Sequence, residues 1–267
     1  MEDRLASEPS VIQVILTHDV DWSPKGPGID HILARKDRFD QAVIARVVEE
    51  GYNPYFNIPD LMAIEDSYGV RSTFFFRSEY EHGILVDAYE DSLKALVEGG
   101  WEIGLHVNDA SSVDAITAEK EAVERIAKVR LDGSRVHYLR IDLAHLSLLE
   151  DAGFIYDSSI TFCKESISGR NAGYIEVGGL VVFPITLMDT YVFTYMRVPE
   201  TRIVELIDRA LQLSSDKGFV TILWHDNSLK MRGGRMYPAI LEFLKSRDNV
   251  RMVRGIDAYK AIVRRGR

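Results

Sequence analysis

The chain has 267 residues, 46% hydrophobic and 27% charged, with a formal net charge of −9 at pH 7. That length accommodates one α/β barrel without a second domain, and the acidic balance excludes the basic face that a general nucleic-acid binder needs. The single cysteine, Cys163, excludes an intramolecular disulfide and a cysteine-based zinc site. Residues 1–10 carry Glu2, Asp3 and Glu8 and no apolar run, so neither a secretory signal nor a membrane anchor is expected and a cytoplasmic setting is the default.

Short apolar runs alternate with longer helical patterns along the chain. Residues 11–17 (VIQVILT) are rich in β-branched side chains and predict a buried strand. Residues 72–76 (STFFF), 101–106 (WEIGLH), 136–139, 181–186, 219–225 (FVTILWH) and 250–254 read the same way. Gly99 and Gly100 predict a helix stop before WEIGLH. Ser111 with Asp114 predicts a capped helix carrying Ile116, Val123, Ile126 and Ala127 inward. Ile203, Leu206, Ile207, Ala210 and Leu211 form a second stripe, ended by Gly218, and Pro238 opens a third with Ile240, Leu241 and Leu244. Strand–helix alternation over the whole length predicts a parallel sheet, open or closed, with working groups at the carboxyl ends of its strands. Two long connections, 22–55 and 160–179, are candidate lids or binding loops.

Four strand ends carry reactive groups. His18, Asp19 and Asp21 follow the first strand, and Asp19 and Asp21 share a face if the strand continues. Two close carboxylates repel unless a cation or a proton lies between them, which suggests one as metal ligand and the other as general base. His106 ends WEIGLH and suits a metal as neutral imidazole. His225, in Leu223-Trp224-His225-Asp226-Asn227, is a candidate general acid. Arg135 and Arg140 flank His137 and Tyr138, and an arginine there keeps a nearby carboxylate ionised and oriented. His31, His82 and His145 read as structural or solvated.

In this order the motifs resemble those of the polysaccharide deacetylase (NodB-homology) family. The resemblance covers residues 11–262 and leaves 1–10 as an extension. It rests on His18-Asp19-Val20-Asp21, on the strand segment 69–76, on the run 101–106, on Arg135-Val136-His137-Tyr138, on Tyr156-Asp157-Ser158-Ser159 and on Leu223-Trp224-His225. It implies a single-domain distorted (β/α) barrel with about seven parallel strands, one for each run above. The implied reaction is metal-dependent removal of an acyl group from an N-acylated sugar or glycan precursor. Asp19 then resembles the general base, Arg135 its orienting arginine, Tyr138 the residue whose backbone N–H holds the oxyanion, and His225 the general acid. Asp21 and His106 resemble metal ligands, for zinc first, with cobalt, nickel or manganese as alternatives.

The sequence departs from the family pattern at two positions. A second histidine usually stands four residues after the first, and here that position is Ala110. Asp109 is assigned as the third ligand, with His137 or His18 as alternatives. The family's proline in Arg-x-Pro-Tyr is His137, which leaves Arg140 a second candidate for orienting Asp19. Two other readings follow: a carbohydrate-binding pseudoenzyme with an incomplete metal site, and an amidohydrolase acting on a small cyclic amide. No nucleic-acid or membrane partner is expected.

Overall fold

A computed structural model describes residues 11–265, so the extension 1–10 lies outside the described residues. The strands are β1 (Ile12–Val20), β2 (Thr73–Phe76), β3 (Glu102–Val107), β4 (Gly133–Val136), β5 (Tyr156–Asp157), β6 (Ile175–Val177), β7 (Leu180–Val182), β8 (Leu187–Met188), β9 (Phe219–Leu223) and β10 (Val250–Val253). The α-helices are α1 (Ile29–Leu33), α2 (Gln41–Glu50), α3 (Ile58–Tyr68), α4 (Glu90–Glu98), α5 (Val113–Ala127), α6 (Ser147–Asp151), α7 (Ile203–Leu213), α8 (Tyr237–Lys245) and α9 (Gly255–Arg265). All the strands form one sheet, in the order β6-β7-β5-β4-β3-β2-β1-β9-β8 with β10 added beside β1. Every pairing is parallel except β6 with β7. The sheet curls through 252° into a half-barrel flanked by helices.

Strand β1 is the axis of this arrangement. On one edge it pairs first with β10 (Ile12–Ile15) and then with β2 (Thr17–Val20); on the other it pairs with β9. Pairing with β2 carries the strand through His18 and Asp19, three residues past the expected end. Side chains alternate along it. Ile15 packs inside the half-barrel with Phe75, Tyr156, Phe183 and Phe219. Val14, Leu16 and Val20 point the other way, into the larger core between sheet and helices. Thr17 and Asp19 therefore face the interior with Ile15, whereas His18 faces the helices.

Strand β3 repeats the pattern, with Glu102, Gly104 and His106 inward. Glu102 plugs the amino end of the barrel. It accepts bonds from Thr73 Oγ1 (2.6 Å), Tyr156 OH (2.8 Å) and the Ile256 N–H (2.9 Å), and burial pushes its pKa up. His106 lies on the same face at the opposite end. Between them a Cβ on Gly104 would meet the Phe75 ring at 2.5 Å, and Phe75 is fully buried with nowhere to retreat. Gly104→Ala is expected to lower stability by about 1–3 kcal/mol through overpacking, read as a fall in the urea midpoint; an unchanged midpoint would mean that the interior has slack.

Several expected boundaries move. The helix cap is Ser112, whose Oγ accepts from the Ala115 N–H at 3.2 Å, not Ser111. Helix α7 stops at Leu213, and Gly218, at φ 76°, instead turns the chain into β9. Residues 136–139 are not a strand: β4 ends at Val136, and Tyr138 (φ 58°) and Leu139 (φ 55°) turn away in the left-handed region. Strands β5, β6 and β8 add to the expected seven; at two or three residues each they carry no readable periodicity. No helix among the described residues is long and apolar enough to cross a membrane.

Candidate functional site

The carboxyl ends of β1, β3 and β4 bring Asp21, His106 and His137 together, with one ligand atom of each within 4.8 Å of the others. Asp21 Oδ1 stands 3.3 Å from His106 Nε2 and 3.6 Å from His137 Nε2. Two donors about 2.1 Å from one ion at a tetrahedral angle stand about 3.4 Å apart, so the spacing is that of a coordination shell. Protonation supports the same fit. His106 Nδ1 lies 2.9 Å from the Arg135 carbonyl, which can only accept. Nδ1 therefore carries a proton, which leaves Nε2, directed at the carboxylate, as the ring's ligand atom. Burial and the neighbouring His106 lower the His137 pKa to about 4, so its ring is neutral at pH 7. Asp21 Oδ1 is buried with no hydrogen-bond partner among the described residues. Three ligand atoms converging at this spacing fit a divalent cation.

Burial works against the Asp21 charge, but the His106 contact and the imidazoles of His225, His106 and His137, protonated at the acid pH where Asp21 titrates, outweigh it and hold the carboxyl well below its usual range. Arg77 braces the ends of β1 and β3 behind it, donating to the Asp21 carbonyl (2.8 Å) and to Asn108 Oδ1 (2.6 Å). Sequence reasoning missed Arg77, which follows the apolar run of β2 directly.

Asp19 lies beside this cluster. Its Oδ1 accepts from Arg135 Nη1 at 2.7 Å, while Oδ2 stands 3.7 Å from His106 Nε2. Arg135 is fully buried. It also donates to Thr17 Oγ1 (3.0 Å), the Ser158 carbonyl (2.8 Å) and Ser158 Oγ (2.8 Å), and its guanidinium stacks 4.5 Å from the Phe75 ring centre. The Tyr156–Ser159 stretch thus acts on the centre through Arg135. Asp157 in turn holds Ser134 (2.9 Å) and the Ser159 hydroxyl (2.7 Å), and burial pushes its pKa up. Arg140 instead covers the face of Tyr138, 4.5 Å from its ring centre.

His225, after β9, closes the opposite wall. Its Nδ1–H donates to Asp189 Oδ1 at 2.6 Å, leaving Nε2 3.8 Å from Asp21 Oδ2. Asp189 Oδ2 accepts from the His225 N–H (3.0 Å) and from the Ser228 hydroxyl. Burial opposes the charge on His225, but Asp189, with Asp21 and Asp19 beyond it, raises its pKa to about 10. Sequence reasoning missed Asp189; the signal was an aspartate directly after the apolar stretch 180–188. Next along the chain, Asp226 is buried with both carboxylate oxygens unpartnered among the described residues. Burial and the Asp21 charge push its pKa well above the usual carboxylate range.

Two expected ligand candidates lie elsewhere. Asp109 is exposed, and its carboxylate accepts from the Ser111 N–H at 2.9 Å as a turn cap. It is outside the cluster, and His137 takes the third place. His18 is fully buried on the helix side, between the Trp224 carbonyl (2.6 Å) and Glu65 (2.9 Å). Ala110 packs against the core. Tyr138 is 69% exposed and stacks on His137 with ring centres 3.8 Å apart. His145 is exposed beside Asp142, and His31 packs edge-on to Trp22 and Tyr55.

No protein-family model and no curated protein matches the sequence. Solved structures do match. A polysaccharide deacetylase-type protein of Mycobacterium smegmatis is 20% identical with a TM-score of 0.68, over 97% of this chain and 93% of that one. One of Pseudomonas aeruginosa is 15% identical with a TM-score of 0.63, over 95% and 91%. The chain has the polysaccharide deacetylase fold. A CE4 family pseudoenzyme of Bacillus anthracis shares that fold as well, at 13% identity and a TM-score of 0.56, over 94% of this chain and 66% of that one. Fold alone therefore does not separate turnover from binding. The constellation does bear on it: a cluster of side chains able to hold a cation, a carboxylate held by an arginine, and a histidine paired with a buried aspartate form a site of catalytic character.

Proposed function

We propose that this protein is a metal-dependent hydrolase that removes an acyl group from an N-acylated sugar or glycan precursor. The observation that carries the reading is the Asp21, His106 and His137 cluster set between Asp19–Arg135 on one side and His225–Asp189 on the other. Asp21, His106 and His137 would hold a divalent ion, zinc being the first choice for one carboxylate and two imidazoles. When bound, that ion polarises the acyl carbonyl and acidifies the attacking water. Asp19 accepts the proton of that water on Oδ2, because Arg135 occupies Oδ1 and keeps the carboxylate aimed. The Tyr138 backbone N–H, at the left-handed turn after β4, serves the developing oxyanion. His225 carries a proton on Nε2 and gives it to the departing amine, while Asp189 holds the ring from behind. The expected cytoplasmic setting belongs to the same proposal and suits a small acylated precursor better than a wall polymer.

The test is acetate release from a panel of N-acetyl sugars and nucleotide sugars by protein loaded with zinc, cobalt, nickel or manganese. Metal-dependent turnover of at least one member is expected. A folded, metal-loaded protein silent on the whole panel would sink the hydrolase and leave a binding role.

The His225–Asp189 pair sets a pH dependence. Asp189 raises the His225 pKa, so the acid form persists below about pH 10 and is lost above it. Asp189→Asn removes that charge, so the proton is lost at lower pH. The alkaline limb of kcat/KM is expected to move down by about one unit or more, with metal content unchanged. An alkaline limb that stays in place would remove His225 from the role of acid.

A further inference from the structure

A cleft of about 770 Å³ opens beside the His225 wall, and Asp189 and Ser228 form its inner end. Three arginines, Arg38, Arg197 and Arg232, line it from separate segments. We propose that this cleft binds an anionic group, phosphate or carboxylate, on the amine-bearing part of the substrate. The inference rests on the reading of the site as a deacylase and narrows its substrate class.

The charge count comes first. Asp189 and Glu200 are the carboxylates of the lining. Asp189 is taken by His225. Glu200 is taken by Arg235, at 2.7 Å, and by the Gly233 N–H. The nearby Asp40 pairs with Arg235 at 2.5 Å and reaches Arg232 only at 3.7 Å. Arg38 and Arg197 are exposed and have no ion pair among the described residues. The cleft therefore presents unneutralised guanidinium groups in a chain whose formal charge is −9. Such a local reversal of sign selects an anionic ligand, and guanidinium geometry suits phosphate and carboxylate alike.

Arg38 belongs to the long connection between β1 and α3, and that connection is tied down. The Arg232 N–H donates to the Arg38 carbonyl at 2.7 Å, and Phe39 bridges to Met231. Arg197 comes from the segment after Asp189, which begins with a π-helical turn, Tyr191–Tyr195. That turn places Tyr195, 53% exposed, on the cleft as an aromatic surface for a sugar ring or base. The guanidinium groups are thus carried by segments fixed to one another and to the proton donor.

His225 protonates the leaving amine, and the cleft begins at the residues that hold His225. The acyl group lies on the metal side, so what fills the cleft is attached to the nitrogen: the sugar and its substituent.

The test is calorimetric titration of the full-length protein with N-acetylglucosamine, N-acetylglucosamine 1-phosphate and N-acetylmuramic acid. Either anionic sugar is expected to bind about tenfold or more tighter than the neutral one. The two arms tell phosphate from carboxylate. Raising salt from 50 mM to 500 mM should erase most of that preference in the native protein, and an Arg38→Met/Arg197→Met variant should bring the ratio near one. Equal affinity for charged and neutral sugars, or a preference indifferent to both salt and the double substitution, would overturn the proposal. Because binding is read without turnover, preference without acetate release would sink the deacylase reading and keep the anion site.

Discussion

His137→Ala is expected to strip the divalent metal from this protein as thoroughly as His106→Ala does, while Asp109→Ala leaves it in place. The expectation follows from distance. His137 Nε2 stands 3.6 Å from Asp21 Oδ1, whereas Asp109 spends its carboxylate on the Ser111 N–H. Metal content by mass spectrometry should fall from about one equivalent to near zero in both histidine variants. Turnover should fall by about 10³-fold or more, the equivalent of several kcal/mol of lost charge stabilisation. His137→Ala should also leave the fold intact, because the ring is only half-buried at the sheet's end. Retention of metal by His137→Ala with loss in Asp109→Ala would reverse the assignment of the third ligand and point to movement of the loop after β3.

That prediction marks where sequence reading reached its limit. Asp19, Asp21, His106 and His225 were legible because each ends or lies within a few residues of the end of a run of β-branched or aromatic residues, and a parallel sheet gathers such ends at one rim, whereas Arg135 stood out at the head of the run 136–139. His137 was named only as an alternative third ligand behind Asp109, at the position where it displaces a proline from a familiar motif. Its arrival beside Asp21 depends on Tyr138 and Leu139 turning left-handed after β4, which no side-chain pattern announces. The strand alternation did contain one unused answer. If Asp19 and Asp21 share a face, His18 is on the other, and it is indeed packed among Glu65, Trp224 and Tyr237 on the helix side. Asp189 escaped because β8 is two residues long, too short for any period to show. The fold class, in contrast, followed from long-range alternation of strands and helices, which survives errors of a few residues at each boundary.

Ala110 carries the same lesson at the level of the site. The turns after β3 and β4 leave the sheet side by side, since β3 and β4 are adjacent parallel strands with His106 in register with Arg135. The ligand can move from one rim loop to its neighbour while the metal position stays. Loss of a motif residue is therefore weak evidence for a dead enzyme unless the adjacent strand ends are also empty.

Arg135 is the residue whose removal is expected to damage stability and activity together. Arg135→Met takes a fully buried cation away from Asp19 and also orphans the Ser158 carbonyl, while Thr17 Oγ1 loses one donor and keeps its own bond to the Ile222 carbonyl. Breaking a buried pair from one side leaves an uncompensated charge and typically costs about 3–5 kcal/mol, so the urea midpoint should drop sharply. Asp19→Asn removes the other charge. It is expected to lower kcat by about 10²–10⁴, the range of a general base, with the metal retained. The double variant Asp19→Asn/Arg135→Met separates the two effects. Once Asp19 is neutral, the penalty for losing Arg135 should shrink by about half or more, because the orphaned charge is gone. Arg135→Lys keeps the charge but not the planar fork that spans Asp19, Thr17 and Ser158 at once, so it should recover part of the stability and little of the rate. If the Arg135→Met penalty is the same with and without the Asp19 charge, the pairing is incidental. Arg135 would then act only as packing against Phe75, and the proposed base would be oriented by something else.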